Sequence, residues 1–303
     1  MMPMKKNEDS NPKKIWSLRN LPDMDDQQFQ QWQALLELRT GMHLALERKT
    51  FLQTSIGIRM REIECEAYQD YYDFVTTGAN RVVEWATLVD RLTVQETSFF
   101  RHHPSYQIVR DYISERATSF NASSPLAIWS LGCSTGEETY SLAMLADECA
   151  KSAGVGQQGT KFFGVTGTDI SLPAIAKARN GVYQERKLSN IEPYRRNAYF
   201  DQVNNERWQI KESLRDRVCF AQVNVLELHK APMQGMDVVY CQNLLIYFPR
   251  LRRRKIVEQM VRCLAPGGLL VLGLGEVVDW QHEELVRVSG GNSLAFTRRE
   301  LKN

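Results

Sequence analysis

Hydrophobic positions along this chain change their period near residue 121. Before it, from Gln27 to about Leu92, apolar side chains recur at helical spacing: Phe29, Trp32, Leu35 and Leu36, then Leu44, Leu52, Ile56 and Ile63, then Tyr68, Tyr71, Tyr72 and Val75. Steps of three and four residues put each set on one face of a helix. Gly41, Gly57 and Gly78 interrupt the stretch and predict a bundle of several short helices, a helical domain over residues 26–120. After a linker at 121–125, short apolar runs alternate with amphipathic ones. Strands are predicted at 127–131, 161–168, 218–225, 237–241 and 269–274, and helices at 137–150, 172–180 and 252–264. This is the α/β pattern, predicting a doubly wound, mostly parallel, Rossmann-like sheet over residues 121–303. Pro266-Gly267-Gly268 predicts a turn between the last helix and its strand. Residues 285–299 read as two strands around Gly290-Gly291-Asn292, a terminal antiparallel hairpin. Residues 184–217 are too long and polar for a simple connection and predict a small β insertion, with Trp208-Gln-Ile210 as one strand. The Lys-, Asn-, Asp- and Pro-rich residues 1–25 lack periodicity and predict a mobile tail.

Candidate chemistry is concentrated in Ser130-Leu-Gly-Cys-Ser-Thr-Gly-Glu-Glu-Thr-Tyr-Ser141, which joins a predicted buried strand to a predicted helix. Gly132 and Gly136 allow a ligand to approach the backbone, and the first N–H groups of the helix can receive its oxygen atoms. Asp169, at the end of the next strand, is placed to accept hydrogen bonds from ribose hydroxyls. The combination predicts an adenosine pocket. The same five residues, Gly132-Cys-Ser-Thr-Gly136, also match the G-x-S-x-G nucleophile elbow of hydrolases. That reading needs strands ahead of the elbow and an HGGG-type oxyanion loop, whereas the first 120 residues read as helical and no HGGG occurs. His229 and His282 could supply a base, but neither has a recognisable context. G-x-G-x-x-G is absent, which weakens a pyridine-dinucleotide reading further.

Composition narrows the classes. A formal charge of +2 over 303 residues gives no global pull toward nucleic acid or anionic lipid. No apolar run is long enough to span a bilayer, and the polar start lacks a secretory core, so a cytoplasmic protein without membrane insertion is expected. The six cysteines include no C-x-x-C pair, which argues against zinc and against a disulfide framework. No metal is expected. The basic side chains Arg39, Arg48, Lys49, Arg59 and Arg61 either line a face for an acidic partner or are a solvated helix surface.

Four blocks carry a family resemblance: Thr93-Val-Gln-Glu-Thr-Ser-Phe-Phe-Arg101, similar to T-x-N-x-T-x-F-F-R; Gly132 to Ser141; Asp169-Ile-Ser with Ala178-Arg-Asn-Gly-Val-Tyr183; and Cys241-Gln-Asn-Leu-Leu-Ile-Tyr-Phe248, similar to C-R-N-V-L-I-Y-F. In this order and spacing the chain resembles the CheR-type chemotaxis-receptor methyltransferases, which move methyl from S-adenosylmethionine to receptor glutamates and leave S-adenosylhomocysteine. The resemblance implies a helical domain, a methyltransferase domain and an insertion that in some members grips a receptor peptide. The partner it implies is the cytoplasmic helical domain of a methyl-accepting chemoreceptor.

The resemblance also implies roles. Gln95, Thr97 and Arg101 would lie in a cofactor lid, Gly132 in the cofactor turn, Glu138 at the methionine portion, and Asp169 at the ribose. Asn224 and Val225 would meet the adenine, and Gln242 and Asn243 would close the pocket. Arg101 would orient the incoming carboxylate with paired N–H donors, and Tyr247 would lie near the transferred methyl. Gln95, Gln242 and Thr139 stand where the family has Asn, Arg and Pro. Two alternatives therefore stay open: a methyltransferase with another substrate, and a cofactor-binding regulatory protein that has lost turnover. A glutamate of reference pKa about 4.3 is ionised at neutral pH, so its methylation requires no general base.

Overall fold

Helix α1 (Asp26–Thr40) begins where Asp25 caps it: its carboxylate accepts the Gln28 N–H at 2.7 Å, and the Gln28 side chain accepts the Asp25 N–H at 3.0 Å. This reciprocal pair satisfies two backbone donors that the helix cannot. Helices α2 (Lys49–Glu62), α3 (Tyr68–Thr77) and α4 (Arg81–Leu92) complete a bundle in the computed structural model, which describes residues 23–93, 96–121, 123–155, 162–288 and 292–300. Of the tail expected over 1–25, residues 1–22 lie outside these residues, as does the tip of the expected hairpin at 289–291, whereas Met24 is buried and Asp25 caps α1. Phe29, Trp32, Leu36, Leu52, Ile56, Met60, Tyr71, Val75 and Leu88 form the bundle core.

One carboxylate is buried in this bundle. Glu84, 3% exposed, accepts from Arg59 Nε and Nη2 at 2.8 and 2.7 Å and from the Tyr71 hydroxyl at 2.7 Å. Burial raises its pKa, but the guanidinium and hydroxyl outweigh burial and hold it below the ordinary carboxylate range. Arg59 thus serves the fold rather than an acidic partner, whereas Lys49 pairs with the exposed Asp26 at 2.6 Å on the helix surface. Arg59→Met strands a buried carboxylate and is expected to cost about 3 kcal/mol at neutral pH, read as a lower melting temperature. Because the folded pKa of Glu84 is depressed, its contribution is present above about pH 4.5 and lost below. The deficit of the variant should accordingly shrink as pH falls through that value.

Helix α5 (His103–Arg116) follows the bundle in sequence but not in space. Its Tyr106, Val109, Tyr112 and Ile113 share a core with the sheet, and it packs on α6 (Glu137–Ser152). The bundle therefore ends near Leu92, earlier than the helical domain expected through residue 120. Periodicity identifies a buried face but not what covers it.

Seven strands form the main sheet: β1 (Leu126–Leu131), β2 (Phe163–Asp169), β6 (Val218–Gln222), β7 (Met236–Cys241), β8 (Leu264–Leu272), β9 (Leu285–Arg287) and β10 (Leu294–Arg298). Their order is β6-β2-β1-β7-β8-β10-β9, with β6 through β8 parallel and the last two strands forming the antiparallel hairpin. Successive side chains alternate between two buried faces. On one face Ile128, Val238, Tyr240 and Val271 meet α5 and α6; on the other Trp129, Val239, Cys241 and Leu270 meet α10 (Arg250–Cys263). Such two-sided burial is why these strands read as continuous apolar runs.

Pro266-Gly267-Gly268 does not separate α10 from its strand. The strand begins directly at Leu264, and the three residues lie in an irregularity where partners jump from Met236↔Leu264 to Val238↔Leu269. An insertion within a ladder is absorbed as a bulge when pairing resumes beyond it. Helix α7 (Leu172–Asn180) follows β2, and then comes the insertion: β3 (Val182–Gln184), α8 (Pro193–Tyr199), β4 (Phe200–Asn204), β5 (Arg207–Ile210) and the single turn α9 (Glu212–Arg215). Its strands form a separate antiparallel sheet, β3-β5-β4.

Candidate active site

The sheet fixes where a ligand can bind. From β1 the chain winds outward through β2 to β6, then returns to β7 on the other side of β1 and winds outward through β8. Connections therefore leave the C-terminal ends of β1 and β7 in opposite directions and open a crevice between them. After β1, the N–H groups of Gly132 and Cys133 both donate to the Thr168 carbonyl, at 2.8 and 2.9 Å. This binds the turn to the end of β2. Gly132 has φ +79°, and a Cβ there would sit 3.1 Å from the Leu244 side chain. A side chain would be strained and would narrow the crevice. Gly136, at φ +94°, brings α6 to within 2.8 Å of the Ala178 Cβ, measured from where its own Cβ would be.

Two lobes meet at Gly132, Ser134, Asn243 and Tyr247. The first is largely apolar, lined by Leu131, Val223, Val225, Leu244 and Phe248, with Asp169 at its edge. Thr40, Met42 and Thr93 of the bundle cover it. Asp169 accepts the Ser134 and Ser171 N–H groups at 2.9 Å each, one on either oxygen, and the Ile170 N–H also bears on it, which leaves the carboxylate with acceptor capacity to spare. Burial raises its pKa, and these N–H donors oppose the rise.

The second lobe is polar: Glu96, Thr97, Ser98, Arg101, Glu138, Gln242 and Tyr247 line it. Glu138 accepts from Ser130 Oγ at 2.8 Å. Burial pushes its carboxyl up to about 8, against that bond and the nearby Arg101 charge, with Glu276 adding to the rise. Arg101 Nη1 donates to the Glu96 carbonyl at 2.9 Å, tying its head to its own segment. Gln242 donates to Ser105 Oγ at 2.5 Å. Burial also raises the Tyr247 phenol.

The structure thus brings Thr97, Arg101, Gly132, Glu138, Asp169, Val225, Gln242, Asn243 and Tyr247 to one crevice. Gln95 lies outside the described residues. Asn224 is directed elsewhere: its side-chain oxygen accepts the Leu226 N–H at 3.0 Å, and its amide donates to the Arg39 carbonyl of α1 at 2.8 Å. It caps a short helix and ties the two domains together, and it lines neither lobe.

Sequence reasoning missed Glu276. It is 2% exposed and accepts the Leu245 N–H at 2.9 Å and the Gly273 N–H at 2.8 Å. Arg253 donates to the carbonyls of Phe248 (2.7 Å), Glu276 (3.0 Å) and Ile246 (3.3 Å). An acid and a base thereby hold the loop that carries Tyr247 from both its N–H and C=O sides. The only sequence signal is a Gly-Leu-Gly-Glu turn, with no motif behind it.

The residues fit S-adenosylmethionine: an apolar lobe for adenine, an acceptor for ribose, a glycine turn that a side chain would block, and a carboxyl and a guanidinium lining the far lobe. They do not suit the hydrolase reading. Ser134 does sit at φ +49° on a sharp turn, but neither His229 nor His282 lines either lobe. Among the described residues, no group of three or more His, Cys, Asp and Glu is arranged for a metal, and no helix is long and apolar enough to cross a membrane.

Known proteins agree with this geometry. Residues 27–93 match the all-alpha domain of CheR methyltransferases, and residues 95–294 match their SAM-binding domain. The chain is 26% identical to the chemotaxis protein methyltransferase of Borreliella burgdorferi, across 78% of this chain and 83% of that one. It is 28% identical to the chemotaxis protein methyltransferase of Vibrio parahaemolyticus, across 88% and 96% of the two chains. Identity is also 28% to chemotaxis protein methyltransferase 1 of Pseudomonas aeruginosa, across 87% and 95%. With its all-alpha and its SAM-binding domain both matched, the chain belongs to the CheR methyltransferase family.

Proposed function

We propose that this S-adenosylmethionine-dependent methyltransferase esterifies glutamate side chains on the cytoplasmic helical domain of a chemoreceptor, working in the cytoplasm. The observation that carries the reading is the division of the crevice into an apolar lobe edged by Asp169 and a polar lobe holding Arg101 and Glu138, with Tyr247 between them. Bound there, the cofactor supplies an electrophilic methyl on a cationic sulfonium. Asp169 receives the ribose hydroxyls. Val225 packs against adenine, and any polar contact at position 224 falls to the backbone. Glu138 faces the ammonium of the methionine portion, with Thr97, Gln242 and Asn243 enclosing it.

Arg101 then orients the acceptor carboxylate. An ionised carboxylate needs no proton removed, so the protein contributes alignment and exclusion of water; well-oriented reactants recover about 7 to 11 kcal/mol of barrier. Tyr247, a phenol protonated at neutral pH in any case, donates toward the reacting oxygen or borders the methyl.

Asp169→Asn tests the cofactor placement. Replacing one charged acceptor with a neutral one is expected to remove about 1.5 kcal/mol, roughly a tenfold loss of S-adenosylhomocysteine affinity by calorimetry. Unchanged affinity with an unchanged melting temperature would remove Asp169 from the ribose. The readout of function is radiolabelled methyl on receptor-containing membranes: base-labile label marks a glutamyl ester, whereas stable label marks another acceptor.

A further inference from the structure

The insertion meets the wall of the cofactor crevice, most directly through Lys187. Lys187 lies just after β3, and its Nζ donates to the Thr97 carbonyl at 2.7 Å. The same ammonium lies 3.1 Å from Oε1 of Glu137, whose side chain is 1% exposed. That second contact is a charge contact rather than an aligned hydrogen bond, since this oxygen has no well-angled donor. The other Glu137 oxygen accepts from Thr135 Oγ1 at 2.6 Å. Thr97 lines the polar lobe; Thr135 and Glu137 belong to the glycine turn and the first residue of α6. A compact ammonium with three donors can serve both sides at once.

Neighbouring contacts join the same parts. The Tyr183 hydroxyl of β3 donates to the Thr135 carbonyl at 2.8 Å. The Phe99 ring meets Tyr183 and Phe200 edge-on, at centroid distances of 5.0 and 5.5 Å. Arg195 of α8 stacks over Phe100 at 4.2 Å. The segment 96–101 has no helix or strand of its own; these side chains, the Phe100 N–H that donates to Ser141 Oγ of α6 at 3.1 Å, and the Lys187 bond hold it in place.

We infer that Lys187 is a positioning residue for cofactor binding: it fastens the Thr97–Arg101 segment to the glycine turn, making the insertion part of the wall of the methionine lobe. A segment already ordered has less freedom to lose when a ligand binds, so losing the fastening weakens binding rather than the chemical step. The inference rests on the proposed placement of the methionine portion between Glu138 and Thr97.

Four proteins test it: the wild type, Lys187→Met, Lys187→Arg, and Lys187→Met combined with Glu137→Gln. In Lys187→Met, S-adenosylhomocysteine affinity should fall about tenfold by calorimetry, with faster amide exchange across 96–101 and a higher KM for S-adenosylmethionine at nearly constant kcat. Lys187→Arg should retain most of the affinity. The double variant leaves no unpaired buried charge, so its melting temperature should recover while its binding stays weak. Full recovery of affinity in the double variant would mean that Lys187 only neutralises Glu137 and would overturn the inference. Wild-type affinity in Lys187→Met would do so as well. Glu138→Gln separates the two levels: if it weakens binding while Lys187→Met does not, only the Lys187 inference fails, and if neither does, the placement of the methionine portion fails with it.

Discussion

Arg101→Ala is expected to lower methyl transfer to receptor glutamates about a thousandfold in kcat/KM while leaving the circular dichroism spectrum unchanged. The magnitude follows from two charge-assisted N–H···O bonds, each worth roughly 1.5 to 3 kcal/mol. The fold should tolerate the change because Arg101 is exposed and its described bond runs only to the carbonyl of Glu96, five residues away. Its neighbours Phe99 and Phe100, 0% and 2% exposed, anchor the segment independently. Arg101→Lys should recover only part of the rate, since an ammonium supplies a point charge but not a planar fork. A variant that kept wild-type turnover would show that the acceptor carboxylate is oriented by another group, and the proposed role of Arg101 would be withdrawn.

Much of the fold is legible because local signals and tertiary packing agree. Helix α7 is the clearest case: Ser171 caps it by accepting the Ala174 N–H at 3.1 Å, Pro173 stands in its first turn, and Gly181 ends it at φ +60°. The same holds for Asp169 at the end of β2, where strand pattern and chemistry coincide. What could not be read depends on contacts between distant residues. Thr40, Met42 and Thr93 cover the apolar lobe because the bundle docks on the sheet's C-terminal edge, and no local spacing encodes that docking. Asn224 has the composition of a strand-end ligand, yet its amide meets Arg39, a residue 185 positions away. Glu276 has a similar history: a polar residue in a glycine turn looks solvated until the loop it holds is folded against it.

Two of the three departures from the family pattern, Thr139 and Gln242, also acquire a physical setting; Gln95 lies outside the described residues. Thr139 is fully buried and donates to Ser130 Oγ at 3.1 Å, so the hydroxyl joins the chain that supports Glu138. Gln242 reaches Ser105 behind the lobe, and Ser105 in turn is within 2.7 Å of His102 Nδ1. A neutral amide here leaves the polar lobe with fewer positive charges than the family pattern provides. Arg101 is the arginine that lines it beside Glu96 and Glu138. That balance makes the protonation state of Glu138 decisive for what the lobe can bind.

Glu138 should make cofactor binding depend on pH. In the ligand-free protein its carboxyl is pushed up to about 8 by burial, with Glu276 contributing, so at pH 6 only about one molecule in a hundred carries the charge. An ammonium placed against it requires the ionised form. S-adenosylhomocysteine affinity should therefore rise roughly fiftyfold from pH 6 to pH 8, with close to one proton released per ligand near pH 7. Calorimetry in buffers of different ionisation enthalpy measures that proton directly. Stability runs the opposite way before ligand is added. A carboxyl whose folded pKa exceeds its unfolded value of about 4.5 favours the folded state most at low pH, and this contribution disappears as pH rises through 8. The increase in melting temperature produced by ligand should consequently grow across that same window. Glu138→Gln cannot ionise; it should bind weakly at every pH, about a hundredfold below wild type at pH 8, and release no proton. If the variant keeps the wild-type pH profile, the proton belongs to another group, and the ammonium lies elsewhere in the crevice.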